Sequence, residues 1–365
     1  PKDLIGTAYF FRSARIVASA LLVLDRRDDA QRYANLANDV REAFIAKYVD
    51  AEGRVAGNTQ CGYLLALQFS LLPHELRSAA LAHLMADIEG RGWRLSTGFV
   101  GVGLLLPALS NGGRDDAAYR LLLQDEFPSW LFSVRHGATT IWERWDGWTP
   151  ERGVHPDASM NSFNHYSLGS CGQWLFEAVA GIEPDGQHAG FEHFFVRPRT
   201  GGPLTEASGV YRSVRGEIRS SWRVDGDRLT LSVTVPGNTS ATVVLPARAN
   251  TPVTESGRGL QDNQGIQGVE REGDRAFIKV GGGTYEFTST HPLLHGTNPV
   301  LSGWYADPDA VAIAGKYWIF PTTSAKYEHQ LAFDAFSSPD LVRWTKHHEV
   351  LKASSITWAK RAMWA

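Results

Sequence analysis

The sequence predicts a multidomain α plus β protein. Three observations carry that prediction: a helical periodicity through residues 1–187, a switch to strict two-residue alternation across 188–289, and a second aromatic-rich β pattern from residue 298 onward. The chain has 365 residues, past the length at which a single core usually stops growing, so more than one domain is expected on size alone.

In the first region Ala30, Tyr33, Ala37, Val40 and Phe44 step by three and four behind Asp28 and Asp29, the candidate N-caps of an amphipathic helix. A second stripe, Leu76, Ala80, Leu84 and Ile88, has Pro73 near its first turn and Gly90 where a C-terminal glycine belongs. Further helices are predicted over 4–24, 59–70, 97–110, 114–126 and 166–180. The last has Leu168, Cys171, Leu175 and Val179 inward and Gly181 as its stop.

Past residue 187 the period falls to two. Leu229, Leu231, Val233 and Val235 alternate between the turn sequences DGD and PGN, Ala241, Val243 and Leu245 repeat the pattern, and Ala276, Ile278, Val280, Tyr285 and Phe287 close it near Ser289. Paired layers of such strands predict an antiparallel β-sandwich. Residues 290–297 read as a linker, and a third module over 298–365 opens with a hairpin in which Ala314-Gly315-Lys316 turns between Val311, Ile313 and Tyr317, Ile319.

Composition narrows the function classes. With 36 basic and 39 acidic residues and no block of like charge, neither a nucleic-acid footprint nor a polybasic membrane patch is present, and a neutral partner is expected. Cys61 and Cys171 lie in helical, apolar stretches and read as buried free thiols. No zinc-ligand spacing or phosphate-cradling loop is recognisable, so no metal and no cofactor is expected. The start, PKDLIGTAYFF, lacks both an initiator Met and a signal-peptide layout and reads as internal, so no localisation is assigned.

The chemistry concentrates in ATTIWERWDGWTP, residues 138–150, where Trp142, Trp145 and Trp148 surround Glu143, Arg144 and Asp146. Sugars present C–H faces and hydroxyls, so their sites combine aromatic platforms with carboxylates and amides, and glycoside hydrolysis requires paired carboxyl groups. Glu143 beside a cation and two indoles is placed for base work. Equally, Trp142 and Trp145 could be core, with Glu143 paired to Arg144 at the surface. A second constellation, SMNSFNHYSLGS (159–170), gathers Asn161, Asn164, His165 and Tyr166 at a helix entrance. Taken singly, it reads as Asn164 or Ser162 capping the helix, with His165 making one hydrogen bond. Its proximity to the tryptophan cluster favours one shared site.

LIGTAYFFRSARI, LSTGFVGVGLLLPALS, PSWLFSVRHGATTIWERWDGW and MNSFNHYSLGSCGQWLFEAVAGI occur in that order, and together they resemble the bacterial α-L-rhamnosidases of glycoside hydrolase family 78. The β region to about residue 289 resembles that family's C-terminal domain. The resemblance implies part of an (α/α) six-hairpin toroid that hydrolyses terminal α-L-rhamnosides with inversion. Glu143 would then be the general base and His165 a rhamnose contact, with Trp142, Asn164 and Trp93 as further substrate-binding candidates. It also implies a general acid upstream of Pro1, so the fragment alone is expected to be inactive.

NPVLSGWYADPDAVAIAGKYWIFPTTS and FDAFSSPDLVRWTKH resemble the opening of a glycoside hydrolase family 43 five-bladed β-propeller, the class of β-xylosidases and α-L-arabinofuranosidases. Asp307 falls at that family's general base, although an Asp before Pro308 is also an ordinary turn residue. The expected substrate is a rhamnose-containing glycoside or plant polysaccharide. A toroidal polysaccharide lyase using Asn164, His165 and Tyr166 and a non-catalytic carbohydrate-binding module are the rival readings.

Overall fold

The computed structural model describes residues 2–247, 251–290, 305–323, 331–339, 341 and 344–355. The chain divides into two compact units, one holding nearly all of residues 1–289 and the other the residues from Thr290 onward together with Asp225–Arg228.

The first unit begins with a helical hairpin of α1 (Lys2–Val23) and α2 (Arg27–Tyr48). On α1 the residues Leu4, Ala8, Phe11, Ala14, Ala18 and Leu21 are buried, a run of three- and four-residue steps that defines one stripe. Its other side exposes Phe10, Ile16 and Leu22. Helix α2 buries Ala30, Ala37, Val40 and Phe44 as predicted. Asp28 and Asp29, however, lie inside its first turn rather than at the cap, where they oppose the positive end of the helix dipole.

Four helices follow: α3 (Gln60–Gln68), α4 (His74–Gly90), α5 (Phe99–Asn111) and α6 (Asp115–Leu122). Thr59 caps α3 by accepting the Gly62 N–H. Gly90 is still helical. The left-handed position after α4 falls on Gly92, with φ 64°, so the stop lies two residues later than predicted. Helix α6 ends at Leu122 rather than 126, and an unforeseen short helix, α7 (Trp130–Arg135), is capped by the Ser129 hydroxyl.

The predicted helix 166–180 is broken into a 3₁₀ turn, α8 (Cys171–Trp174) and a π turn over Leu175–Val179. The π turn rotates the face. Trp174 and Ala178 are buried with Leu168 and Val179, while the predicted inward Leu175 is 41% exposed. The two cysteines are free but only partly buried, and loss of water around each raises its thiol pKa.

Gly181 does stop the helical part. Its φ is 78°, and a Cβ there would sit 2.3 Å from the Pro198 nitrogen. Two sheets follow. One orders Ile266–Glu272, Arg275–Val280, Ser240–Pro246, His193–Val196 and Ile182–Pro184; the other runs from Arg258–Gly259 through Thr254–Glu255, Gly283–Thr290, Arg228–Val235 and Gly216–Asp225 to Glu206–Ser213. Leu229, Leu231, Val233 and Val235 from one sheet and Ala241, Val243, Leu245, Ala276, Ile278 and Val280 from the other share a single buried core.

The sandwich is not wholly antiparallel. His193–Val196 runs parallel to Ser240–Pro246, because the chain visits the opposite sheet between them and returns by a long crossover.

The helical part and the sandwich are joined by polar contacts at buried positions. Trp222, 1% exposed, donates its indole N–H to the Val179 carbonyl at 2.7 Å. Tyr119 donates to the Arg199 carbonyl at 2.7 Å, and the Arg199 guanidinium donates to the Ser110 carbonyl at 2.9 Å.

The second unit is a four-stranded antiparallel meander of Tyr305–Ile313, Lys316–Thr323, Ala332–Ser338 and Thr345–Lys352. Its first hairpin turns at Ala314 and Gly315, with φ of 49° and 76°, where the sequence placed it. Asp307 falls on the first strand within a register irregularity between Ala306 and Asp309. Its side chain, the predicted linker from residue 291 and the last ten residues lie outside the described residues. Among the described residues no helix is long and apolar enough to cross a membrane.

Candidate active site

Glu143 is positioned by two chain segments laid side by side. Its N–H donates to the Ser162 carbonyl at 2.8 Å, its carboxylate Oε2 accepts the Ser162 N–H at 2.8 Å, and the His165 N–H donates to the Ile141 carbonyl at 2.8 Å. The ERWDGW and SFNHY stretches, read separately from the sequence, are thereby one structure. The loop between them carries a two-residue hairpin, Trp148–Thr149 with Gly153–Val154.

The three tryptophans have different tasks. Trp142 is buried and meets Phe163 edge-on at 5.3 Å. Trp145 packs edge-to-face on Trp130 at 5.6 Å and donates its indole N–H to the Thr97 carbonyl at 2.8 Å. Trp148 contacts the His136 ring. The Trp145 bond ties the site to the loop preceding α5, which Gln60 also holds. That nearly buried amide donates to Asp87 at 2.9 Å and accepts the Ser96 N–H at 3.3 Å.

A cavity of about 440 Å³ opens where these loops meet, lined by Glu143, Arg144, Trp145 and Asp146 on one side and by Phe99, Phe127 and Met160 among the rest. Its walls are largely apolar with two carboxylates, a combination suited to a sugar ring. Arg144 does not pair with Glu143 but bonds Asp146 at 2.6 Å; Arg152 reaches Asp146 at 3.2 Å and His155 lies 3.6 Å away. Burial alone would raise the Asp146 pKa, but the hydrogen bonds from Arg144 and Arg152 outweigh it and hold the carboxyl below its ordinary range. Asp146 is therefore a fixed anion. Glu143 has no ion pair among the described residues, and the hydrogen bond its carboxylate accepts comes from the Ser162 N–H.

His165 lies between two rings, stacked on Phe99 at 4.9 Å and 9° and on Tyr166 at 4.9 Å and 19°. Its Nδ1 accepts the Ser167 N–H at 3.3 Å, which leaves Nε2 as the hydrogen-bond donor. Asn164 is exposed, and its N–H donates to the Ser162 hydroxyl, so Ser162 organises the loop rather than capping the helix. Trp93 does not line the cavity. It carries the Arg120 guanidinium 3.9 Å above its ring and packs on the helical core.

Phe99, Phe127, Met160 and Asp146 were not singled out from the sequence as site residues. Asp146 stood in the quoted motif, but what distinguishes it, an arginine two residues before and another six after, has meaning only once the loop folds.

Residues 1–179 match the bacterial alpha-L-rhamnosidase 6 hairpin glycosidase domain and residues 181–259 the bacterial alpha-L-rhamnosidase C-terminal domain. The chain carries these two domains of the bacterial α-L-rhamnosidases.

An α-L-rhamnosidase of Streptomyces avermitilis is 41% identical over 288 residues, covering 79% of this chain and 27% of that relative. The crystal structure of the Streptomyces avermitilis α-L-rhamnosidase complexed with L-rhamnose superposes with a TM-score of 0.73 at 41% identity, over 79% of this chain and 27% of that one. The chain spans less than a third of the length of the curated α-L-rhamnosidases it matches. A β-D-galactofuranosidase of Aspergillus niger is 56% identical over 69 residues, 19% of this chain and 20% of that protein. The helical and β-rich arrangement of the rhamnosidase domains is thus shared with solved relatives, and Glu143, Trp145 and His165 lie within the six-hairpin segment.

Proposed function

We propose that the protein carrying this chain hydrolyses terminal α-L-rhamnosides with inversion of configuration, with Glu143 as the general base. The supporting observation is a carboxylate on the wall of a sugar-sized, apolar-walled cavity, oriented by the Ser162 N–H and free of ion pairs among the described residues. In this role Glu143 takes a proton from a water that attacks the anomeric carbon as the glycosidic bond breaks. An inverting site needs a second, protonated carboxyl about 6.5–9.5 Å from the base. Asp146 does not fill that role, since its cations keep it ionised. It instead braces the loop that carries Glu143. Phe99 and Trp145 on the cavity wall are the apolar sugar contacts of this reading, and His165, which does not itself line the cavity, backs Phe99 by stacking on its ring.

The test is hydrolysis of p-nitrophenyl α-L-rhamnopyranoside by the full-length protein and its Glu143→Gln variant. The expected loss in kcat is about 10²–10⁴-fold, with the change in KM small by comparison. Unchanged turnover would make Glu143 structural. Retained sugar binding without turnover in the parent would favour a binding module, and absorbance from an unsaturated uronide product would favour a lyase.

We read the helical part as a portion of the (α/α) toroid. The apolar residues exposed on α1 support this, because a helix in a complete ring has partners on both sides. We read the second unit as the first blade of a five-bladed propeller, supported by its four-stranded meander and by the short match to a β-D-galactofuranosidase, with Asp307 as its candidate base.

A further inference from the structure

The loop joining Ile182–Pro184 to His193–Val196 brings three potential metal ligands together outside the cavity. Asp185 Oδ2 lies 2.8 Å from Nδ1 of His188 and 2.8 Å from Nδ1 of His193. Among the described residues this is where three such groups converge, with all ligand atoms within 4.8 Å of one another. The short turn Ala189–Phe191, with Gly190 at φ 67°, folds His188 back until its ring is 5.5 Å from that of His193.

We propose that Asp185, His188 and His193 form a binding site for a divalent transition metal of the zinc type. Two imidazoles and one carboxylate are the donor set of sites that bind Zn²⁺ with three protein ligands and one open position. The groups behind the ligands are also in place. His193 Nε2 faces the Thr242 hydroxyl at 2.9 Å, the arrangement in which a metal-bound imidazole donates its remaining N–H to an oxygen and keeps Nδ1 for the metal. The other oxygen of Asp185 accepts the Gln187 N–H at 2.9 Å, which fixes the carboxylate plane.

The geometry agrees with this assignment. Ligand atoms around a tetrahedral ion with bonds of about 2.0–2.1 Å stand about 3.3 Å apart, so the triad has to open by about half an ångström to admit one. His188, with its side chain 49% exposed, has room for that movement, whereas Asp185 and His193, 14% and 12% exposed, start from the same 2.8 Å and have to part by the same small distance. A bound ion would clip this loop to the sheet at Thr242.

The sequence reading, which recognised no zinc-ligand spacing, missed this cluster. Asp-x-x-His followed five residues later by a second His is not a familiar ligand pattern, and only the reversal at Gly190 brings the three groups together.

The test is calorimetric titration of the metal-stripped full-length protein with Zn²⁺, with Co²⁺ absorption as a second readout. The parent is expected to bind one Zn²⁺ per chain, to gain thermal stability from it, and to give the visible bands of four-coordinate Co²⁺. His188→Ala and Asp185→Asn are expected to lose at least about a hundredfold in affinity, and Thr242→Val about ten- to a hundredfold. Unfolding in a chelator shows that each variant is folded before metal is added. Absence of saturable binding at one equivalent, or equal affinity in parent, His188→Ala and Asp185→Asn, would overturn the proposal.

Discussion

The sandwich and the loop that carries Glu143 use tryptophan in opposite ways. In the sandwich Trp222 is fully enclosed on a strand whose alternate residues face the core, and its indole N–H closes a bond to the last turn of the helical part. Around Glu143, Trp142, Trp145 and Trp148 lie on backbone with almost no regular structure, and long-range contacts hold each one. One of these is a hydrogen bond from Trp145 to Thr97, far away in sequence. Burial in the sandwich follows from a two-residue period. Order in the loop follows from polar bonds that a side chain makes wherever the rest of the fold offers a partner. The first region is therefore tolerant in function and costly in stability when altered, and the second the reverse.

Substitutions separate the two regimes. The largest stability effect is expected at Trp222. Trp222→Ala removes a fully buried indole and leaves the Val179 carbonyl without its donor, a loss of about 3–5 kcal/mol readable by urea unfolding. The Glu143 geometry should persist in whatever fraction remains folded.

A smaller structural effect with a larger functional one is expected at Gly147. A Cβ there would lie 2.7 Å from Asn161 Oδ1, and Asn161 donates to the Gly147 carbonyl at 3.1 Å, so an added methyl requires the Asn161 amide to shift out of the bond that joins the two segments framing Glu143. Gly147→Ala should cost about 1–3 kcal/mol while lowering kcat on the rhamnoside by a greater factor than its stability loss explains. Equal activity in the two proteins would show that the loop adapts freely.

The smallest effect is a pH dependence. Asp146 has its pKa lowered in the folded chain, so the stability it contributes is fully present above the unfolded value of about 3.9 and disappears as the pH falls through the lower folded value. The stability gap between the parent and Asp146→Asn should narrow steadily over that acid range and stay constant from pH 5 upward, as followed by thermal unfolding. A gap independent of pH would mean that Arg144 and Arg152 do not hold this carboxylate.

The same contrast explains what was legible in the sequence. The alternation at Leu229 to Val235 and the stripes on α2 and α4 could be read, because burial there is periodic. The helix after His165 was misjudged at Leu175, since a π turn inserts an extra residue that no hydrophobic pattern announces. The parallel pair His193–Val196 with Ser240–Pro246 was missed because strand direction depends on which sheet the chain crosses to, not on local alternation. At the candidate site Glu143 and His165 stood out by residue type and neighbours. The pairing of Arg144 with Asp146 instead of Glu143 is a choice between two nearby carboxylates, and in the folded loop Glu143 is turned to the Ser162 N–H instead. Phe99 joined the cavity only through the fold of the loop before α5.

The central claim, that the tryptophan-rich loop exists to present a base to water, is tested most directly by chemical rescue. In Glu143→Ala of the full-length protein, azide needs no deprotonation to attack and can enter the space left by the carboxylate. The account predicts that turnover of an activated α-L-rhamnoside, nearly lost in the variant, is restored by azide with formation of a rhamnosyl azide of inverted configuration. A folded variant that keeps parental hydrolysis without azide would contradict it, as would one that azide leaves inactive.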